Sequence, residues 1–369
     1  MHYRRMPIEV ESPEQLGYST ILYNLAESSI ADIRLGDLNL HLDDLILAYS
    51  DHLGKPELRA LLTAGAPPLQ PDHVLLTVGA AAALFIVATS LLAPGDHMLV
   101  VYPNYATNVE TPRQIGAAYE FFQLSFDGGF QLDIDALAAR IRPETRYVSI
   151  TVPHNPTGAM ITEAQLRQLV SLVEAKGCLL LVDETYREMA YDSILPPAAS
   201  LSPSVISVSS LSKTYGLPGI RLGWLMTQNA ALMQTFLAAK EQIFISGSVL
   251  DEEVAYQYLL SKAAHLTRIR ADIARKRALV QDWIAEEALM EWVEPQGGVV
   301  CFPRIKPDVP VDVDRFYATL NGKYKTMVGP GHWFEQDRRH MRVGFGWPDD
   351  AQLKTGLENI SHALRESLL

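Results

Sequence analysis

The chain is poor in cysteine: among 369 residues only Cys178 and Cys301 occur, both inside apolar runs. Two isolated thiols make neither a disulfide framework nor a thiolate metal site, and they suit a reducing compartment, so a cytoplasmic location is expected. His332 and His340 stand at no defensible ligand spacing from carboxylates or cysteines, so no metal is expected. Long hydrophobic runs are also missing. The longest, "AAAALFIVATSLLAP" from Ala80, is shorter than a bilayer span and contains Thr89 and Ser90, so it reads as a buried helix rather than a membrane anchor. The opening "MHYRRMPIEVESPEQ" has basic residues but no apolar stretch behind them, and no secretory signal is expected. Positive charge is in deficit, with 31 Lys and Arg against 43 Asp and Glu and a net charge of −12. Nucleic acid is therefore disfavoured as main partner, because phosphate-backbone binding relies on clustered cations. The short clusters "RRM" and "DRRH" read as solvated faces. Internal repeats and low-complexity segments are lacking as well.

What is present is a 48% hydrophobic chain long enough to bury a large core in two or three structural domains. From about residue 70 to 230 one unit recurs: a short apolar, β-branched run, a turn, and a helical pattern. "HVLLTVG" leads into "AAAALFIVATSLL", "HMLVVYP" into "NYATNVETPRQIG", and "YVSITVP" into a helix near 162 to 176; "CLLLVDET", "VISVSS" and "GWLMT" follow. Continuous apolar strands alternating with helices predict an α/β fold with a mostly parallel sheet covered on both faces. Beyond 230 the pattern shifts to long amphipathic helices and short strands around "GGVVCFP" and "HMRVGFG", which predicts a smaller α+β domain. The expected division is an N-terminal segment 1–48 joining the small domain, a large domain 49–260 and a C-terminal small domain 261–369.

Ligands of parallel sheets bind beyond the carboxyl ends of the strands, and the conspicuous residues fall there. Gly79 ends one strand and opens a helix. Pro103, Asn104 and Tyr105 follow the next, His154, Asn155 and Pro156 a third; Asp183 closes a fourth, and Ser210 and Lys213 follow a fifth. Singly, each has a structural explanation: Asp183 as a strand terminator, Asn155 as an Asx turn, Arg221 as a surface ion pair. Jointly, a buried acid, a lysine about thirty residues later and an arginine after it are the parts needed to hold an aldehyde cofactor with a pyridine ring and a phosphate. A lysine forms a Schiff base only through its neutral amine, so its pKa must be lowered by desolvation or nearby positive charge. The helix opening at Gly79 offers free N–H groups and a favourable dipole for the phosphate.

The motifs "YSDHLGKPELR", "TVGAAAAL", "YPNY", "HNPTG", "DETY", "SLSKTYGLPGIRLGW", "GPG" and "HMRVGFG", in that order, resemble those of fold type I pyridoxal-phosphate enzymes of the class I/II aminotransferase family. The resemblance covers nearly the whole chain and implies the PLP-dependent transferase-like fold, a mostly parallel seven-stranded sheet with a smaller α+β domain. It implies pyridoxal 5'-phosphate held by Lys213 as an internal aldimine, with transamination between an L-amino acid and a 2-oxo acid. Asp183 is implied as partner of the pyridine nitrogen, Asn155 and Tyr186 of the phenolate oxygen, and Tyr105 as the stacking ring. Ser210, Arg221, Gly79 and the amides of Ala80 and Ala81 are implied phosphate ligands. Arg342 is implied to grip the substrate α-carboxylate, which Asn155 also borders, and Tyr49 to reach the neighbouring subunit's phosphate in a homodimer.

Departures from the family pattern are visible. Ala80 and Ala81 stand where relatives often carry a hydroxyl. "LGDLNL" lies too near Tyr49 to be the substrate loop, so Gly36 reads as structural, and "AESSI" makes Ser28 and Ser29 the candidate substrate contacts. "GPGHWFEQDRR" has bulky and charged residues where a later glycine is expected, and Trp333, Phe334 and Trp347 fit either a substrate entrance or core packing. "YNLAES", "DETYR" and "HMRVGFG" are also similar to the capreomycidine synthase-like subgroup, implying a lyase and cyclase acting on a hydroxylated arginine, with Glu27 as the acid to meet a guanidinium. A non-catalytic sensor of the same fold is the third reading; retention of Lys213, Asp183 and Arg221 together argues against it.

Overall fold

The computed structural model describes residues 2–369. Its strands are β1 (Tyr23–Leu25), β2 (Val74–Val78), β3 (His97–Tyr102), β4 (Ala118–Gln123), β5 (Thr145–Thr151), β6 (Leu179–Asp183), β7 (Val205–Ser210), β8 (Leu222–Met226), β9 (Met290–Glu291), β10 (Val300–Cys301), β11 (Arg304–Ile305), β12 (Thr326–Pro330) and β13 (Met341–Gly344). Seven of them form the large sheet in the order β2-β8-β7-β6-β5-β3-β4. Only β8 runs against its neighbours β2 and β7; the pairs β3/β4, β3/β5, β5/β6 and β6/β7 are parallel. Strands β3, β5, β6 and β7 are almost wholly buried, as their unbroken apolar runs require when helices cover both faces.

The expected strands appear within a residue or two of their apolar runs. The exception is β4, which the apolar-run reading passes over. It is an edge strand with exposed and half-buried side chains, "AYEFFQ", so it lacks the continuous apolarity of its buried neighbours. The chain passes from β3 outward to β4 and then returns through β5, β6 and β7 on the other side. The order therefore reverses between β3 and β5, which makes the crevice beyond their carboxyl ends the ligand position of such a sheet.

The helices follow local rules. Glu163–Lys176 starts with a capping box, in which Thr162 accepts from the Gln165 amide at 3.2 Å and Gln165 accepts from the Thr162 amide at 2.9 Å. It ends at left-handed Gly177 and buries Leu166, Leu169, Val170 and Val173 on one stripe. At about 1.5–3 kcal/mol each, those four side chains outweigh the cap in docking the helix.

A second sheet, in the order β1-β12-β13-β10, lies against the helix Asp350–Glu366, whose Leu353, Leu357, Ile360 and Leu364 face it. Its β1 pairs in parallel with β12, so the chain leaving β1 at Leu25 runs alongside β13. The approach is tight: a Cβ on Gly344 would meet the Glu27 carbonyl, and one on Gly346 would lie 2.7 Å from the Ser29 carbonyl. This is a physical reason for both glycines of "RVGFG". The third sheet is the short pair β9 and β11. Among the described residues no helix is long and apolar enough to cross a membrane, and no cluster of His, Cys, Asp and Glu is disposed to hold a metal ion.

Candidate active site

Asp183 ends β6 and is buried. Its Oδ1 accepts both the Thr185 amide at 3.0 Å and the Thr185 hydroxyl at 2.6 Å. These two bonds fix the carboxylate without neutralising it, and its other oxygen has no hydrogen-bond donor among the described residues. Burial raises the Asp183 pKa, and the Thr185 bonds act in the opposite direction. A buried acid with one free oxygen suits a protonated ring nitrogen, which supplies the compensating charge.

Lys213 lies in the loop between β7 and β8, half-buried. Burial lowers its pKa; Arg342 and Arg221 push the same way, against Glu27 and Glu14. Desolvation is thus the larger influence, and the positive charge expected from Arg221 is secondary. A lowered pKa raises the neutral fraction of the amine, the form that attacks an aldehyde.

The helix Gly79–Leu91 begins at Val78 with no side-chain cap, so the amides of its first turn, including Ala80 and Ala81, are free to bind an anion. Gly79 has φ of 75°, and a Cβ there would lie 2.5 Å from Arg221 Nη2. Arg221 itself is held in the left-handed region at φ 45°, a strained conformation for a non-glycine residue that is found disproportionately at functional sites. Its Nη1 donates to the Pro218 carbonyl at 2.8 Å and the Ser212 hydroxyl at 3.4 Å. The buried Ser210 hydroxyl accepts from the Ser212 amide at 3.3 Å. Gly79, Ser210, Ser212 and Arg221 therefore form one cradle, of which Ser212 was not singled out in the sequence.

Beyond β3, Asn104 shapes the turn: its Oδ1 accepts the Tyr105 amide at 2.7 Å and its Nδ2 donates to the Val101 carbonyl at 2.9 Å. This sets Tyr105 at the mouth of the next helix, with its hydroxyl pKa raised by burial and the charges of Asp183 and Arg221 within influence. Beyond β5, Asn155 is buried, and its Oδ1 accepts from Arg342 Nη1 at 3.2 Å. Its amide N–H₂ donates to no described residue in this arrangement. His154 next to it is buried and neutral, with its pKa drawn down by burial to about 4.

Arg342 comes from β13 of the second sheet and is buried. Its Nη2 donates to the Ala26 carbonyl at 2.7 Å, and its guanidinium lies 5.1 Å from the centre of the Phe334 ring. Its Nε is buried without a partner among the described residues. An orphaned donor on a buried cation is costly unless an anion completes it. The strap from Ala26 to Ile30 touches the site at every second residue: Ala26 through Arg342, Ser28 through the Tyr186 hydroxyl at 2.9 Å, and Ile30 through its amide, which donates to the Lys213 carbonyl at 3.3 Å.

The Tyr186 contact modifies the expectation from sequence. Its single hydroxyl proton goes to the Ser28 carbonyl rather than into the cleft, because the strap runs directly over the ring. Ser28 and Ser29 are both buried; the contacts they make to Tyr186 and Gly346 use backbone carbonyls, which carry no residue identity. Tyr49 is not brought to this site within the chain. It is 83% exposed and lines a groove with Leu47, Ala48 and residues 241–250. Trp333 and Phe334 are core residues, whereas Trp347 stacks on Tyr18, with ring centres 6.0 Å apart, near Asp32.

A sheet switch point, a lysine of lowered pKa, a buried acid and an uncapped helix start match what comparison with known proteins finds. The profile of the family described as aminotransferase class I and II matches residues 27–360. The chain belongs to this family. Capreomycidine synthase of Streptomyces vinaceus is 33% identical over 328 residues, covering 88% of this chain and 82% of that protein. A PLP-dependent aminotransferase structure from Streptococcus suis superposes with a TM-score of 0.91 at 29% identity, covering 100% of this chain and 99% of the other. The structure of a PLP-dependent cyclase, OrfR, gives 0.87 at 27% identity, with 99% and 98% covered.

Class I and II aminotransferases are pyridoxal-phosphate proteins, and this chain is one of them. Two features of the structure fit that group, the free Asp183 oxygen and the cradle at Gly79 that a Cβ would fill, and the orphaned Arg342 Nε leaves a place for a further anion beside it.

Proposed function

We propose that the chain is an aminotransferase that moves an amino group between an L-amino acid and a 2-oxo acid, working as a cytoplasmic homodimer with a large domain at about 49–260. The observation that carries this reading is the proximity of Lys213, Asp183 and Arg342, which come from three separated segments: the Arg342 charge reaches Lys213, and both Arg342 and Asp183 act on Tyr186. When bound, pyridoxal phosphate supplies an aldehyde for the amine and a ring that accepts electrons from the substrate α-carbon. The protein's own residues do the rest. Asp183 would hold the ring nitrogen protonated, and Asn155 would donate its amide to the phenolate oxygen, with Tyr186 bordering it. Tyr105 would stack on the ring. Ser210, Arg221 and the amides at Gly79, Ala80 and Ala81 would bind the phosphate, and Ser212 would steady Arg221.

Arg342 would take the substrate carboxylate on its free Nε edge, a planar fork matched to that anion, with Ser28 and Ser29 on the strap alongside. Lys213, poised with a lowered pKa, would take the proton from the substrate α-carbon onto its Nζ and hand it back from the same nitrogen, which is general acid–base work. Tyr49 would act across the dimer: together with Ile46 at 79% and Leu47 at 78% exposure it forms an apolar face that a second copy would cover. The test is to incubate the purified holoenzyme with each common amino acid. Stoichiometric appearance of the 2-oxo acid without ammonia supports transamination, and ammonia release refutes it.

A second reading, a lyase or cyclase of the capreomycidine synthase type, is supported by the 33% identity and by Glu27. Glu27 accepts a bond from the Tyr18 hydroxyl at 3.1 Å, and its charge reaches both Lys213 and Arg342. An acid in that place suits a cationic side chain. Consumption of guanidino amino acids with formation of a cyclic product, and no oxo acid, would favour this reading.

A further inference from the structure

The segment following Tyr49 is held by charges buried where charges are seldom found. Lys240, on the helix Ala230–Ile243, is 0% exposed and donates its Nζ to the His52 carbonyl at 2.6 Å. Glu252, on the helix Val249–Leu259, is 1% exposed and accepts the Lys55 amide on Oε2 at 2.8 Å. From the other side Arg59, 4% exposed, donates Nε to the Gly54 carbonyl at 3.0 Å and pairs through Nη2 with Asp51 at 3.2 Å. Three buried ionisable side chains thus hold the His52 and Gly54 carbonyls, the Lys55 amide and the Asp51 carboxylate, all within five residues.

Burial draws the Lys240 pKa down to about 8, while Glu252 and Asp51 work against that shift. Glu252 Oε1 is buried with no partner among the described residues. Besides that carbonyl, among the described residues, the ammonium meets only the face of the Phe244 ring, 5.6 Å from its centre; taking it out of water for so little is unfavourable unless the carbonyl's position matters, and an apolar side chain would fill the same volume at lower cost. What lies just upstream of the grip is Tyr49, whose own side chain is 83% exposed and has no anchor of its own beyond the groove it shares with residues 241–250.

We infer that Lys240 is a positioning residue for Tyr49: by fixing the His52 carbonyl three residues downstream, it sets where the tyrosine hydroxyl arrives at the phosphate site of a second copy of the chain. Glu252 supports the same segment from the next helix. This rests on the reading above that Tyr49 acts across the dimer.

The test uses the full-length protein stripped of cofactor and titrated with pyridoxal phosphate and, separately, with pyridoxal, which lacks the phosphate. Tyr49→Phe should weaken pyridoxal phosphate roughly tenfold, the size of one lost hydrogen bond to a charged group, and leave pyridoxal unchanged. Lys240→Met, which keeps the volume and removes the donor, should do the same, and the double variant should be no weaker than either single one. A purely structural lysine would lower thermal stability and weaken both vitamers equally, or neither, and that result overturns the inference. If Tyr49→Phe weakens pyridoxal phosphate and Lys240→Met does not, the inference fails while the tyrosine's role stands. If Tyr49→Phe has no effect, the role across the dimer fails and takes the inference with it. Should Lys240→Met not fold, Lys240→Gln carries the same comparison, with a shorter donor and a smaller loss in the same direction.

Discussion

Replacing Gly79 by alanine separates phosphate binding from everything else at the site. The backbone there has φ of 75°, where an L residue costs about 1–2 kcal/mol, a folding penalty a protein of this size tolerates. The new methyl would lie 2.5 Å from Arg221 Nη2, well inside contact distance, so the end of the guanidinium must swing away by about an ångström. Arg221 then loses its fork on the phosphate. One charge-assisted hydrogen bond contributes about 1.5–3 kcal/mol, so the dissociation constant for pyridoxal phosphate should rise about 10- to 150-fold. Absorbance titration of the cofactor-free variant measures this directly, and pyridoxal supplies the control, since it has no phosphate to lose contact with. An unchanged affinity for pyridoxal phosphate, or an equal loss for the two vitamers, would refute the assignment of the Gly79 cradle.

Two further outcomes are expected. Arg342→Lys keeps the charge but not the fork, and one lost charge-assisted hydrogen bond costs about 1.5–3 kcal/mol; KM for the amino-acid substrate should rise about 10- to 150-fold while the affinity for pyridoxal phosphate stays constant. His154 is buried with its pKa drawn from the ordinary 6.5 to about 4, so the unfolded chain binds its proton first. Its contribution is complete above the unfolded value and is lost as pH falls from about 6.5 towards 4. Urea midpoints should show the native protein losing about 2 kcal/mol more than a His154→Gln variant between pH 7 and pH 5; parallel losses would contradict the burial argument.

The parts of the site legible in the sequence are those the fold places at the ends of apolar runs. Asp183 interrupts "LLLVD" and Lys213 follows "VISVSS", so each is conspicuous because a buried strand has just ended. The edge strand β4 was not legible, since half its side chains face solvent and leave no continuous apolar signal. Backbone partners were invisible for a different reason: the Ala26 carbonyl on Arg342 and the Ser28 carbonyl on Tyr186 join residues 316 and 158 positions apart, through groups that every residue possesses. Thr185 was within reach, because a hydroxyl two residues beyond an aspartate commonly turns back onto it. Lys240 was not: in "FLAAKEQIF" it reads as one more solvated helix lysine, and only the packing of the segment 51–55 against its helix reveals the burial.

The chemistry rests on one amine, that of Lys213. Reducing the protein with borohydride after saturation with pyridoxal phosphate, followed by peptide mapping, should place a single stable label on the peptide containing Lys213, and a Lys213→Ala variant should carry none there. A label confined to other lysines, or no label at all on a folded and saturated protein, would contradict it.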